Sequence, residues 1–85
     1  MMADLVIGNV DEDTSEEEVR EFLMKYGFPS FDKMQPVPGT GSRPGLLLTF
    51  NDLDEVALRA LQPRIQNMFW KNRTINVSVM REYGY

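Results

Sequence analysis

The chain contains neither cysteine nor histidine. Without cysteine it forms no disulfide and offers no thiolate to a metal, a usage that fits an intracellular protein, with the cytoplasm the expected compartment. Without histidine it lacks the commonest general base and metal ligand. Apolar runs are short: none approaches the roughly 18 residues of a membrane span. Residues 1–30 also lack the basic start, apolar stretch and small-residue cleavage site of a secretory signal. The glycines follow no phosphate-loop spacing, since Gly39-Thr40-Gly41 leads toward a strand and not a helix. Asp11-Glu12-Asp13 lacks the ligand spacing of a calcium loop. The remaining carboxylates gather at a helix start and a turn, where local structure accounts for them. These absences lead us to expect no enzyme, no cofactor, no metal and no membrane partner.

What is present makes one small domain. Eighty-five residues, 42% hydrophobic and 26% charged, describe a globular chain. At this length folding buries roughly 60–65% of the unfolded surface, enough to fold alone with little to spare. We place the domain at residues 1–80 and expect a mobile tail at 81–85. An initiator methionine and a short tail suggest a whole protein. The net charge is −4 and unevenly spread. Asp4, Asp11, Glu12, Asp13, Glu16, Glu17, Glu18 and Glu21 precede residue 22 with Arg20 as the lone base, whereas Arg59, Arg64, Lys71, Arg73 and Arg81 follow residue 55 with no acid among them up to 81. An acidic first helix and a basic second half follow from this split.

Hydrophobic periodicity divides the chain into six elements. Asp4 to Val10 reads as a buried strand, with Leu5, Ile7 and Val10 inward and Val6 on the other face. Thr14 with Glu17, or Ser15 with Glu18, forms a capping box opening a helix to about Tyr26. Val19, Phe22, Leu23 and Tyr26 make its buried stripe, and Gly27 and Pro29 end it. Phe31 to Val37 is a weak strand, confined to an edge or bulged by Pro36. A Gly/Pro/Ser loop follows. Gly45 to Phe50 is a second buried strand with Leu46, Leu48 and Phe50 inward. Asp52, with Glu55 as its capping partner, starts a second helix whose inward stripe is Val56, Ala57, Ala60 and Leu61, and Pro63 breaks or restarts that helix. Arg73 to Met80 alternates cleanly, Ile75, Val77 and Val79 against Thr74, Asn76 and Ser78, so one face is buried and one wet. The order is βαββαβ, an α+β ferredoxin-like sandwich: a four-stranded antiparallel sheet with two helices on one face.

Two segments, Leu5-Val6-Ile7-Gly8-Asn9-Val10 and Arg43-Pro44-Gly45-Leu46-Leu47-Leu48-Thr49-Phe50, resemble in flanks and spacing the hexamer and octamer motifs of the RNA recognition motif (RRM) family. Leu48-Thr49-Phe50-Asn51-Asp52, Ala60-Leu61 and Arg73-Thr74-Ile75-Asn76-Val77 extend the resemblance over about residues 4–80. It implies a sheet whose motif aromatics stack on unpaired bases. Here the motifs are degenerate. Val6 takes the hexamer stacking position. Gly45 and Leu47, or Leu46 and Leu48 in a register shifted by one, take those of the octamer. Stacking is worth about 1–3 kcal/mol per base, so three missing rings make for weak binding.

The resemblance implies single-stranded RNA as the first partner, held through Val6, Arg43, Leu47, Thr49, Lys71, Arg73, Asn76 and Ser78. The crossing between the second helix and the last strand is longer than the family's usual loop and sets Met68, Phe69 and Trp70 in a row, so at least one of them is exposed. This segment is similar to that of a protein-binding RRM subclass with an acidic first helix and an Arg-x-Phe loop, in which Trp70 matches the Phe and Met68 stands where the Arg would be. The alternative partner is thus a peptide or protein met by Met68, Phe69, Trp70 and Glu17. A third arrangement is a dimer or small subunit that buries Val6 and Leu47.

Overall fold

A computed structural model describes residues 3–37 and 45–80. The elements run β1 (Ala3–Gly8), α1 (Glu16–Lys25), β2 (Lys33–Val37), β3 (Gly45–Phe50), α2 (Glu55–Leu61), a 3-10 turn (Gln62–Arg64), β4 (Phe69–Trp70), β5 (Arg73–Thr74) and β6 (Asn76–Met80). The main sheet has the order β2-β3-β1-β6, antiparallel throughout, and β4 and β5 form a separate hairpin. This is the ferredoxin-like α+β fold that the element order implies. Arg43 and the tail from residue 81 lie outside the described residues.

The core lies between the sheet and the helices. Leu5, Ile7, Leu48, Leu58, Ile65 and Ile75 are fully shielded, with Phe22, Phe28, Phe31 and Phe50 buried around them. Phe28 and Phe31 flank Phe50, the latter edge-on at 6.3 Å between ring centroids, a preferred aromatic arrangement. Of the two candidate capping boxes at α1, the structure forms the second. The Ser15 hydroxyl accepts from the Glu18 backbone N–H at 3.1 Å, and the Glu18 carboxylate accepts from the Ser15 N–H at 2.9 Å. Gly27, at φ +92°, ends the helix in a conformation that glycine adopts without strain.

The second helix departs from expectation. Its N-cap is Asp54, whose carboxylate accepts from Ala57 N–H at 2.9 Å, not Asp52. Starting two residues later turns the helix so that Leu58 is buried and Ala57 and Leu61 partly buried, while Val56 and Ala60 face solvent. Pro63 then enters the 3-10 turn, where its missing N–H costs nothing, and Ile65 closes the core.

β2 and β6 are the two edges. Pro36 in β2 is therefore tolerated. On β6 the Gln66 side chain acts as a one-residue strand: its Nε2 donates to Val77 O at 2.6 Å and its Oε1 accepts from Val77 N–H at 2.9 Å. Gln62 Nε2 also donates to Val77 O at 2.6 Å. Both polar groups of an otherwise open edge are satisfied at Val77, which blunts pairing with another chain.

The helix-two reading has a direct test. Leu58→Ala should cost about 2–5 kcal/mol in urea denaturation, and Val56→Ala no more than about 0.5 kcal/mol. The reverse order would restore the expected stripe.

Candidate nucleic-acid interface

The register of β1 between β3 and β6 lays out the open face as three cross-strand rows. Row one is Lys33, Thr49, Asp4 and Met80; row two is Gln35, Leu47, Val6 and Ser78; row three is Val37, Gly45, Gly8 and Asn76. Side chains alternate faces along a strand, so members of a row stand side by side. Leu46 and Leu48 point into the core, which leaves Gly45 and Leu47 as the octamer's open-face positions.

Row two is the centre of the face. Val6 and Leu47, each half-buried, sit directly opposite one another and make an aliphatic floor, with the exposed Gln35 amide and Ser78 hydroxyl at its two ends. Row three is low because of its glycines. A Cβ on Gly8 would come within 2.5 Å of Asn76 Oδ1, so the Asn76 amide lies in the space that a side chain would fill. A Cβ on Gly45 would meet Val37 Cγ2 at 3.3 Å and Ile7 O at 3.2 Å. The two glycines thus let Asn76 and Val37 fold over the sheet from either edge. Asn9, at φ +61°, ends β1 beside this row. Its amide donates to Thr74 O at 2.9 Å, and its Oδ1 accepts from Arg73 Nη1 at 3.3 Å.

The structure therefore brings Val6, Leu47, Thr49, Asn76 and Ser78 onto one surface, with Arg73 at the end of row three. It does not bring Lys71 there. Lys71 occupies the β4–β5 turn at φ +52°, followed by Asn72 at +66°, a pairing of positive φ values that suits a tight two-residue hairpin turn. From that turn its Nζ reaches α1, 3.0 Å from Glu18 and 3.4 Å from Thr14 Oγ1. The hairpin carries no sequence signal of the Asn-Gly kind, which is why Lys71 read as a neighbour of the sheet. Two further described cations of the second half are also engaged: Arg59 pairs with Glu55 at 2.7 Å and Arg64 donates to Tyr26 O at 3.1 Å.

Asp4, Lys33 and Gln35 are open-face residues that the sequence reading passed over. Asp4 shares the parity of Val6, two residues on, and an acid inside a strand runs against strand propensity; that was the available signal. The weak β2 pattern gave no parity for Lys33 or Gln35.

A second depression lies on the far side of the molecule. It is an open groove of about 430 Å3 between α1 and the β4–β5 hairpin, lined by Glu18, Glu21, Phe22, Lys25, Tyr26, Met68, Phe69, Trp70 and Lys71. Trp70 stacks on Phe22 with centroids 4.3 Å apart, and Met68 packs on the core. Phe69 is 69% exposed. The acids along the groove are Glu18 and Glu21; Glu17 does not line it.

No family model and no curated protein matches the sequence. Solved structures match the fold. The RRM3 domain of Mip6 superposes with a TM-score of 0.70 at 19% identity, covering 89% of this chain and 90% of that one. The C-terminal RRM domain of MEC-8, solved bound to AGCACA, gives 0.65 at 13% identity, covering 95% and 93%. The SR1 RRM1 of Plasmodium falciparum, solved in complex with ACAUCA RNA, gives 0.60 at 15% identity, covering 93% and 84%. The chain has the RRM fold. Among the described residues, no helix is long and apolar enough to cross a membrane.

The Ser15 N–H, first, and the Lys71 ammonium hold the Glu18 carboxyl below its ordinary value of 4.5. A depressed acid contributes stability that is complete above its unfolded value and lost as pH falls through the folded one. Thermal midpoints measured from pH 6 down through the acid range should therefore fall less steeply for Glu18→Gln than for the parent. Parallel curves would remove Glu18 as an acid-sensitive contact.

Proposed function

We propose that this chain is a non-catalytic binding module that holds single-stranded RNA across the open face of its sheet, inside the cell. The observation that carries this reading is row two. An aliphatic pair forms a floor on which a base can rest, and hydrogen-bonding side chains frame it in all three rows. Amide and hydroxyl groups so placed reach base edges, and Lys33 and Arg73 stand at the margins for phosphate. Arg43 belongs to the same set by its place before β3. Two of the structures sharing the fold were solved with a bound oligonucleotide, AGCACA and ACAUCA RNA, in line with this use of the scaffold. Val6 and Leu47 supply contact area without ring stacking, so binding is weak.

The groove behind α1 supports a second reading as a protein- or peptide-binding site, favoured by one observation: Phe69 is held out to solvent beside the stacked Trp70 and Phe22. Large exposed aromatics are typical anchors of interfaces. Met68 and Trp70 would shape that site, with Glu18 and Glu21 as its acids.

Fluorescence anisotropy with a pool of labelled single-stranded RNA hexamers separates the two. Affinity should fall steeply between low and physiological salt. Leu47→Glu should weaken binding at least tenfold, roughly the loss of one base contact, and Phe69→Ala should leave it unchanged. Salt-independent binding, or loss in Phe69→Ala alone, would contradict the sheet-face reading.

A further inference from the structure

Row one contains a group whose presence the fold does not explain. Asp4 lies in the middle of the sheet, between Thr49 and Met80. Its Oδ1 is shut off from solvent and meets no hydrogen-bond donor among the described residues. A carboxylate only accepts hydrogen bonds, so an oxygen withdrawn from water without a donor is a cost to folding. Acids are also disfavoured within strands. Groups kept at such a cost in an otherwise satisfied structure point to function.

The surroundings say what would satisfy it. Asp4 lines an open pocket of about 330 Å3 shared with Asp32, Lys33, Gln35, Leu47, Thr49 and Asn51. Asp32 already accepts the Asn51 N–H at 2.7 Å through Oδ2. Lys33 makes no ion pair or hydrogen bond among the described residues. The pocket therefore presents an unsatisfied acceptor at Asp4 and a free donor at Lys33, separated by Thr49 in the same row. Oδ2 of the same carboxylate is not shut off and also has no donor among the described residues, so it is the oxygen that a ligand in the pocket reaches. Among the described residues no group of three or more acids is placed to hold a metal ion.

We infer that Asp4 selects a nucleobase carrying an exocyclic amino group and disfavours uracil at this position, an inference that rests on the single-stranded RNA reading above. An amino group donates to the carboxylate, as N4 of cytosine does to Asp or Glu in known base contacts. Beside that amino group, cytosine carries acceptors at N3 and O2, the complement of Lys33. Uracil has nearly the same shape but puts O4 where the amino group would be, and its single N–H lies between two carbonyls. Facing Asp4, those oxygens oppose the carboxylate. Lys33 offsets one of the pocket's two acids, Asp4 and Asp32, which reduces its repulsion of the RNA backbone.

The test compares cytidine and uridine hexamers, matched in length and salt, for the parent and for Asp4→Asn. The parent should bind the cytidine hexamer about tenfold more tightly, the scale of one base-discriminating contact. Asp4→Asn should bring the ratio close to one, because an amide donates to O4 as readily as it accepts from N4. Equal parental affinities, or an unchanged ratio in Asp4→Asn, would overturn the inference while leaving RNA binding in place. Binding of neither hexamer at low salt would remove both. Asp4→Thr supplies an independent readout. If the orphaned oxygen burdens the fold, this β-favouring replacement raises the thermal midpoint; a fall would assign Asp4 to folding and overturn the argument.

Discussion

The placement of β1 between β3 and β6 decides both faces of the molecule. Leu5 and Ile7 reach the core only because Leu5 stands opposite Leu48 and Val79, and Ile7 opposite Leu46 and Val77. Because side chains alternate, a slip of one residue would send these to solvent and bring Asp4, Val6 and Gly8 inward. The cost of exposing two fully buried aliphatics, Leu5 and Ile7, fixes the register. The same register then sets the open face, so the arrangement of Val6, Leu47 and Asp4 is a consequence of core packing and not a separate construction.

That face is chemically mixed in an ordered way. Row one carries charge, row two an apolar floor with polar ends, and row three a low surface that two glycines open to Asn76 and Val37. Most of the described cations of the second half are tied to carbonyls or carboxylates away from the sheet. The strong charge asymmetry of the sequence is thus largely spent within the fold. Lys71 joins the acidic helix to the β4–β5 hairpin, and Arg59 braces its own helix against Glu55.

Much of the fold was legible because its signals are local. Alternation at Ile75, Val77 and Val79, the stripe of Val19, Phe22 and Leu23, and the Ser15–Glu18 box each follow from neighbours in sequence. The second helix was harder. Asp52 and Asp54 are both competent caps, and only the fit of Leu58 into a core assembled from distant strands selects Asp54. The β4–β5 hairpin left no trace because Lys71 and Asn72 are a poor advertisement for a tight turn. Of the site, Val6, Leu47, Thr49, Asn76 and Ser78 came from strand parity and do share one face. Asp4 shares the parity of Val6 and was legible in the same way, whereas Lys33 and Gln35 needed the tertiary register of β2, whose weak pattern does not say which face is covered.

On the proposed function, the open sheet face, and not the groove beside α1, receives the partner. Two-dimensional amide NMR of the isotope-labelled protein, titrated with short single-stranded RNA, tests it residue by residue. Shifts should grow with RNA at Val6, Leu47 and Ser78, spread to Asp4 and Asn76, and fade at higher salt. A silent sheet at millimolar RNA, or shifts confined to Phe69, Trp70 and their neighbours on α1, would contradict it.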